Sequence, residues 1–134
     1  MKKYSLFLIS LILSTFIFSQ VPPGFTYQAI VRNSSGDIVI NQTVKFRFSI
    51  HRDSESGAVV YREIHSVPTN NFGLANLIIG MGDKVSGTFD PSAWGNSNHY
   101  LEVELDPDNG TTFSHLGTTQ LLSVPYAFHA KTVE

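Results

Sequence analysis

The strongest constraint on the fold is a run of strictly alternating side chains near the middle of the chain. From residue 44 to residue 51 (VKFRFSIH), every second residue is apolar and the residues between are polar. Successive side chains of a β-strand point to opposite faces, so this run predicts a strand with one buried face and one solvated face. Comparable runs recur about every 8–12 residues between turn signals. The sequence therefore predicts an all-β fold, an immunoglobulin-like or prealbumin-like sandwich of about seven strands.

The other predicted strands follow from the same alternation and from β-branched residues. They cover residues 25–32, 58–67, 74–81, 100–106, 112–116 and 119–124, with a short apolar stretch at 38–40. The strand at 74–81 is apolar on both faces, which indicates a central position or cover from another element. Residues 80–95 are predicted to form a long loop. We expect Trp94 in this loop to fold back over one edge of the sandwich, because an exposed indole is unfavourable.

The first 19 residues have the three parts of a secretory signal peptide. Lys2 and Lys3 form a basic start, residues 6–18 are largely apolar, and Ser19 is a small residue suited to cleavage before Gln20. The apolar run covers about 13 residues, fewer than the roughly 20 that span a bilayer. We therefore expect export by a Sec-type route to the periplasm, the cell surface or the extracellular medium, with no integral membrane anchor after processing.

Processing is expected to leave one domain. Residues 20–124 are long enough for a single sandwich core, and residues 125–134 are predicted as a linker or short helix leading to a possible downstream region. Loss of the two lysines leaves seven basic residues against eleven acidic ones, without a basic cluster, which disfavours nucleic acid as a partner. The chain has no cysteine, so disulfides, cysteine-based zinc sites and thiol nucleophiles are excluded. No cofactor is predicted.

The histidines are the first residues to weigh as metal ligands or catalytic bases. They are His51, His65, His99, His115 and His129. No two of them have the spacing of a helical ligand pair. We expect them at solvent-facing strand positions, with His51 and His65 facing each other across neighbouring strands.

Acidic residues suggest two further sites. Asp106 and Asp108 have the spacing that begins a calcium loop, but the twelfth position is Gly117 instead of an acid, so a hairpin turn is expected. Glu102 and Glu104 are two apart on a predicted strand and share one face, which is compatible with the paired carboxylates of a hydrolase. The alternative is the solvated face of an edge strand, because the residues that alternate with them are apolar.

Most aromatic residues occupy alternating strand positions, which predicts core packing. Trp94 and Tyr100 are the exceptions, and they leave open a sugar-stacking platform of the kind found in carbohydrate-binding modules. The apolar segment 121–130 is a further candidate for contact with a partner. The residues that we expect to take part in interactions are Trp94, Tyr100, Leu121, Leu122, Pro125, Tyr126 and Phe128.

Five stretches of the chain together resemble a known module. They read GFTYQAIVR at 24–32, VKFRFSI at 44–50, NFGL at 71–74, WG at 94–95 and TTQLLSVPYA at 118–127. In these stretches the chain resembles an N-terminal β-sandwich module of secreted and surface proteins of Bacteroidota. The turn at 69–74 also resembles, more weakly, that of prealbumin-like and carboxypeptidase-regulatory sandwiches.

The resemblance implies a non-catalytic structural or interaction module, the head domain of a longer secreted or surface protein. The implied partner is a downstream domain of the same protein, another protein or a surface glycan. A carbohydrate-binding module and a hydrolase with a paired-carboxylate site are the alternatives that the residues leave open.

Overall fold

A computed structural model describes residues 24–122 of the protein. Within this range the elements are β1 (Phe25–Ile30), β2 (Thr43–Arg52), β3 (Val59–Pro68), β4 (Leu74–Ile79), β5 (Asp83–Gly87), a 3₁₀ helix (Pro91–Asn96), β6 (His99–Asp106) and β7 (Ser114–Leu121). No helix in this range is long and apolar enough to cross a membrane. The predicted signal peptide with its cleavage pair, Ser19 and Gln20, lies outside the described residues. So does the predicted linker or short helix with Pro125, Tyr126 and Phe128.

The strands form two antiparallel sheets, which confirms the predicted all-β sandwich. The larger sheet has the order β5-β3-β2-β6-β7, and the smaller sheet contains β1 and β4. The apolar faces of the two sheets meet, as the alternating pattern of β2 predicts. One cluster of buried apolar residues lies between them. Its members are Val31, Val39, Val44, Phe46, Phe48, Ile50, Tyr61, Ala75, Leu77, Ile79, Leu101, Val103 and Leu105.

The centre of the core is built by aromatic rings from both sheets. Phe46 and Phe48 of β2 are fully buried, and they lie opposite Leu105 and Val103 of β6. Tyr27 of β1 covers the two phenylalanines, with ring centroids 6.0 and 5.0 Å away. Burial of each such side chain stabilises the fold by about 1.5–3 kcal/mol, so this junction holds the two sheets together.

The two layers cover each other unequally. Tyr27 places β1 over β2, and β4 has its interlayer contacts with β3. Among the described strands, none lies beyond β1 on the side of β6 and β7. The core face of β7 therefore borders a groove, whereas Leu101, Val103 and Leu105 on the core face of β6 are buried.

A tight turn carries the chain from the larger sheet to the smaller one. The side chain of Asn70 accepts hydrogen bonds from the backbone N–H groups of Phe72 and Leu74, at 2.8 and 3.0 Å. Gly73 adopts φ +75, and a Cβ there would overlap the side chain of Ile38. Only glycine meets both conditions without strain. The predicted turn before residue 74 is thereby confirmed.

The predicted loop at 80–95 is wrong in two places, because it contains β5 and the 3₁₀ helix. All five residues of β5 are exposed, so this strand has no buried face and no apolar alternation to reveal it. It is recruited as the edge of the larger sheet by its pairing with β3.

The two strands predicted at 112–116 and 119–124 are a single strand, β7. Its pairing with β6 shifts register after Val103, which lies opposite Gly117, while Glu104 lies opposite His115. Leu116 is thus the extra residue of a β-bulge, and a bulge interrupts the alternation without ending the strand.

The strand predicted at 74–81 is not central. It corresponds to β4, which pairs only with β1 among the described strands. Its outer face is open, since Asn76 is exposed and Ile78 is 47% exposed. The apolar side chain of Ile78 therefore lies on the outer surface of the smaller sheet and does not indicate a central strand.

Candidate functional site

The outer face of the larger sheet carries a strong charge pair. Nε and Nη2 of Arg47 donate to the two carboxylate oxygens of Glu104, at 2.5 and 2.6 Å. The guanidinium carbon also lies 4.3 Å from the ring centroid of Phe113. The hydrogen bond from Arg47 lowers the pKa of Glu104 below its ordinary value, although partial burial opposes this. Glu104 is therefore held as a carboxylate in a bidentate pair.

Next to this pair, His51 and Glu102 link β2 to β6. The Nε2 atom of His51 lies 2.7 Å from Glu102, and its Nδ1 atom lies 2.9 Å from the carbonyl oxygen of Gly57. His115 of β7 lies 3.9 Å from the other oxygen of Glu102. The Glu102 carboxylate thus lies among side chains of three adjacent strands.

Glu102 and Glu104 share one face, but they do not form a free carboxylate pair. The expectation of an edge strand is wrong, because β6 lies between β2 and β7. A glycosidase-type hydrolase needs one carboxyl that keeps its proton near neutral pH as a general acid. Glu104 has a lowered pKa and a guanidinium on both oxygens, so it is unsuited to that role.

A second carboxylate, Glu63, is fully buried on the core face of β3. Its oxygens accept four hydrogen bonds, from the hydroxyl of Tyr61 at 2.7 Å, Nε2 of His65 at 2.9 Å, and the N–H groups of Gly80 at 2.9 Å and Gly82 at 3.0 Å. Burial by itself raises the pKa of Glu63, but these donors outweigh it and hold the pKa below its ordinary value. Glu63 therefore clamps the β4–β5 turn to β3.

The sequence interpretation missed the Glu63 cluster. Tyr61, Glu63 and His65 are each two residues apart, which places all three on one face of β3. The signal available in the sequence was the large aromatic residue Tyr61, which the structure shows to be buried on the core face. A carboxylate at such a position requires several hydrogen-bond donors around it.

The expectation that the histidines face solvent is wrong for three of the five. His51 and His99 are buried, and the side chain of His65 is 9% exposed, whereas His115 is exposed as expected. His129 lies outside the described part of the chain. His51 and His65 also do not face each other, because His65 lies opposite Phe46 on the core face while His51 contacts Glu102 on the outer face. Each buried ring has a hydrogen-bond partner.

The Asp106–Gly110 stretch forms the predicted hairpin connection. Both carboxylate oxygens of Asp106 accept backbone hydrogen bonds, from Asp108 at 3.0 Å and from Thr112 at 2.9 Å. These bonds close the loop between β6 and β7. Within residues 24–122, no group of three or more histidine or acidic side chains is arranged to hold a metal ion.

Trp94 folds back over one edge of the sandwich, as predicted. Its ring packs edge-on against Phe25 and Phe89, with centroids 6.1 and 5.4 Å away. Tyr100 is not part of this cluster, because it lies on the outer face of β6 opposite His51. A cavity of about 300 Å³ opens beside Trp94. Its lining also includes Arg52, Val60, Thr88, Asp90, Ala93, Asn96, Ser97 and His99.

A second cavity of about 340 Å³ is the groove beyond the edge of β1. We call this cavity the β7 groove. Its lining residues are Tyr27, Leu101, Val103, Leu116, Gly117, Thr119 and Leu121. Leu121 was predicted to take part in an interaction, and it lies in this groove. Leu122, predicted for the same role, is 76% exposed at the end of β7.

Large apolar side chains are also exposed on the outside of the smaller sheet. Phe72 is 70% exposed, and Ile38 and Ile30 are about half exposed. Ile38 lies against Gly73, next to Phe72, and Ile30 pairs with Leu74 across the two strands. The sequence interpretation missed this group, which we call the Phe72 patch (Ile30, Ile38, Phe72 and Leu74).

The comparisons with known proteins identify a family. No curated protein and no solved structure matches the chain. One family model, described as a domain of unknown function (DUF8740), matches residues 26–120. The match starts in β1 and ends in β7, so it covers the described sandwich almost completely. The chain therefore belongs to the DUF8740 family.

Proposed function

We propose that this protein is an exported, non-catalytic structural or interaction module, the head domain of a longer secreted or surface protein. The observation that carries the proposal is a contrast in exposure. The carboxylates Glu63 and Glu104 are saturated with partners that join strands, whereas the Phe72 patch presents large apolar side chains to water. The immunoglobulin-like or prealbumin-like relationship and the resemblance to surface proteins of Bacteroidota belong to the same proposal.

The Phe72 patch supports an interaction role because its members come from neighbouring backbone positions: Phe72 and Leu74 flank Gly73, Ile38 lies against Gly73, and Ile30 pairs with Leu74. A single exposed leucine or isoleucine is common on protein surfaces. A group of neighbouring apolar side chains is less common and marks contact with another protein. The backbone N–H of Phe72 donates to the side chain of Asn70, so the main chain at this position is already ordered before binding.

The proposed location follows from the sequence of residues 1–19. A basic start, an apolar stretch and a small residue before Gln20 favour cleavage during Sec-type export. N-terminal sequencing of the protein recovered from the producing cells tests this part. A product that begins at Gln20 supports export, and one that keeps Lys2 and Lys3 contradicts it.

Site-specific photo-crosslinking in the producing organism tests the interaction role. A photoreactive residue at position 72 is expected to give a covalent adduct with a second polypeptide. The matched control is position 85, because Val85 is 54% exposed on edge strand β5, outside the patch. Adducts that are absent at position 72, or equally abundant at both positions, would contradict the proposal.

Carbohydrate binding is the second candidate, and the cavity beside Trp94 favours it. Sugar sites combine an aromatic surface with hydrogen-bonding side chains, and this cavity offers an indole together with Arg52, Asp90 and Asn96. Trp94 is the single tryptophan of the chain, so its fluorescence reports on this cavity alone. Titration with oligosaccharides at millimolar concentration should shift its emission, and the shift should be lost in Asn96→Ala but kept in Tyr100→Ala. An unchanged emission across a glycan panel removes this candidate.

A further inference from the structure

A buried histidine lines the cavity beside Trp94. His99 is only 5% exposed, and one of its two ring nitrogens is already engaged, since Nδ1 lies 3.0 Å from the carbonyl oxygen of Ser97. A carbonyl oxygen only accepts hydrogen bonds, so Nδ1 carries the hydrogen of the neutral ring. The other nitrogen, Nε2, is thereby left as a hydrogen-bond acceptor.

The Nε2 atom of His99 has no hydrogen-bond partner in the described part of the chain. Within residues 24–122, every side-chain nitrogen or oxygen that is fully shielded from water does have a partner. Nε2 therefore opens to the cavity that His99 lines. An acceptor that is largely buried and unpaired favours a ligand that brings a hydrogen-bond donor to it.

Arg52 places a strong donor beside this acceptor. Arg52 and His99 are register partners at the ends of β2 and β6, so their side chains share one face of the sheet. The Nε atom of Arg52 lies 3.6 Å from a carboxylate oxygen of Asp53, in a pair whose side chains are 55% and 72% exposed. An exposed pair of this kind contributes little, so the guanidinium can turn to a ligand at small cost.

Asp90 and Asn96 complete a mixed set of donors and acceptors. Oδ1 of Asp90 accepts hydrogen bonds from the N–H and the hydroxyl of Ser92, whereas Oδ2 has no partner among the described residues. The lining contains one cationic and one anionic side chain, Arg52 and Asp90, so it carries no excess charge. Hydroxyl groups both donate and accept, and they match this set better than a charged group, which would meet a like charge.

Trp94 provides a preformed aromatic wall. Its ring centroid lies 6.0 Å from that of His99, and the rings of Phe25 and Phe89 pack against it at interplanar angles of 80°. A ring held in this way loses little freedom when a ligand binds. The volume of about 300 Å³ is at the lower end of the range for ligand pockets, which suits a single sugar ring.

We propose that the cavity beside Trp94 binds an uncharged sugar ring, and that Nε2 of His99 accepts a hydrogen bond from one of its hydroxyl groups. Arg52 and Asp90 bind neighbouring hydroxyl groups, and the indole of Trp94 packs against the ring of the sugar. This inference rests on carbohydrate binding, the second candidate function, and it names the ligand class and the buried anchor of that site.

Two substitutions at position 99 separate the roles of the two ring nitrogens. In His99→Asn the amide can still donate to Ser97, but the acceptor at the Nε2 position is lost, whereas the longer side chain of His99→Gln can place an oxygen there. The ligands are methyl glycosides of glucose, galactose and mannose, and Trp94 fluorescence reports their binding. His99→Asn should bind about tenfold or more weakly than the parent, and His99→Gln should recover part of the loss. His115→Asn is the matched control, since His115 is exposed on β7 and does not line the cavity, and it should bind like the parent.

The outcomes distinguish this inference from carbohydrate binding in general. If His99→Asn binds the glycosides within about twofold of the parent, the role of His99 is overturned although the site still binds sugar. Tighter binding of glucuronate or glucosamine than of glucose would overturn the uncharged ligand. A panel without any change in emission would remove carbohydrate binding and this inference together, and it would leave the crosslinking test of the Phe72 patch unaffected.

Nitrogen-15 NMR of the parent protein tests the same role without a substitution, so the result does not depend on how well a variant folds. At about pH 8, where imidazole rings are neutral, Nδ1 of His99 should carry the hydrogen and Nε2 should not. Addition of the glycoside should move the Nε2 resonance of His99 and leave the ring resonances of His115 in place. A hydrogen on Nε2 in the free protein, or an unmoved Nε2 resonance at saturating glycoside, would overturn the proposal.

Discussion

Two carboxylates of this protein, Glu63 and Glu104, are held ionised in opposite ways. Glu63 is completely buried and is stabilised by four separate donors, two of which are backbone N–H groups. Glu104 lies on the outer face with a side chain that is 12% exposed, and a single guanidinium binds both of its oxygens. Both carboxylates have a lowered pKa. In Glu63, burial raises the pKa but the hydrogen bonds from its donors outweigh it. In Glu104, the hydrogen bond from Arg47 is the main cause of the lowered pKa.

The difference between the two teaches which polar contacts organise the fold. The Glu63 donors come from β3 and from the turn between β4 and β5, so this carboxylate joins the two sheets. Its loss would leave buried N–H groups without an acceptor, which costs more than the hydrogen bonds themselves contribute. The Arg47–Glu104 pair joins neighbouring strands of one sheet that are already paired, and water can replace either partner.

The largest expected effect is that of Glu63→Gln. An amide has the same shape, but its NH₂ group would face donors that need an acceptor, so we expect the free energy of unfolding to fall by about 3–5 kcal/mol. Urea unfolding followed by Trp94 fluorescence measures this. Glu55→Gln, at an exposed position of the β2–β3 loop, is the control and should stay within about 0.5 kcal/mol of the parent. A loss for Glu63→Gln of similar size to that control would refute the clamp.

The next largest effect is expected for Gly82→Ala. A Cβ at this position would overlap the ring of His65, and relief of the overlap would move the turn away from Glu63, so we expect a loss of about 1–3 kcal/mol. Gly95→Ala is the matched control, because a Cβ there meets no atom within 4 Å. Thermal unfolding of both variants compares them, and a Tm for Gly82→Ala that equals that of Gly95→Ala would count against the close packing of the turn.

Acid should destabilise the protein through the same two carboxylates. A group whose pKa is lower in the folded state stabilises the fold above its unfolded pKa of about 4.3, and this contribution is lost as the pH falls. The contribution of these two carboxylates to the free energy of unfolding should thus be nearly constant from pH 7 to about pH 5 and decrease below it. Urea titrations at several pH values measure the slope, which should be smaller in Glu63→Gln. An unchanged slope in that variant would show that Glu63 is not the group responsible.

The smallest effect is expected for Glu104→Gln. An ion pair on the face of a sheet contributes about 1 kcal/mol or less, and the bidentate geometry and partial burial of this pair place it near the upper end. The loss should shrink as sodium chloride is raised to about 1 M, because salt screens surface charges. Unfolding at low and high salt measures this. A loss above about 3 kcal/mol that does not depend on salt would contradict the comparison, because Glu104 would then be as important for the stability of the fold as Glu63.

Several features of the fold could be predicted from local patterns. The alternation around Phe46 and Phe48 indicated the core face of β2, and the apolar residues Leu101 and Val103 indicated that of β6. The Asp106–Gly110 hairpin and the position of Trp94 over one edge also followed from residue type and spacing. Each of these predictions needs only residues that are near one another in the chain.

Other features depended on distant residues and were missed. Strand β5 has no buried face, so only its pairing with β3 defines it. Leu116 interrupts the alternation of β7, and the bulge that accommodates it depends on the register with β6. Buried histidines were also missed, because the acceptor of His65 and the carboxylate beside His51 lie on faces that the sequence could not orient.

By itself, the sequence determined that this protein forms strands, which side chains of β2 and β6 face the core, and where most turns occur, since side-chain alternation and turn chemistry are local properties of the chain. Only the tertiary structure decided that the strands of residues 24–122 divide into sheets of five and two, that Glu63 is ionised in the interior, and that the β7 groove lies beside β1. The physical reason is that each of these results depends on long-range closure. Glu63 meets Gly80 and Gly82 across 17 and 19 residues, and the groove is lined by Tyr27 of β1 together with side chains of β6 and β7, which are distant from it in the chain.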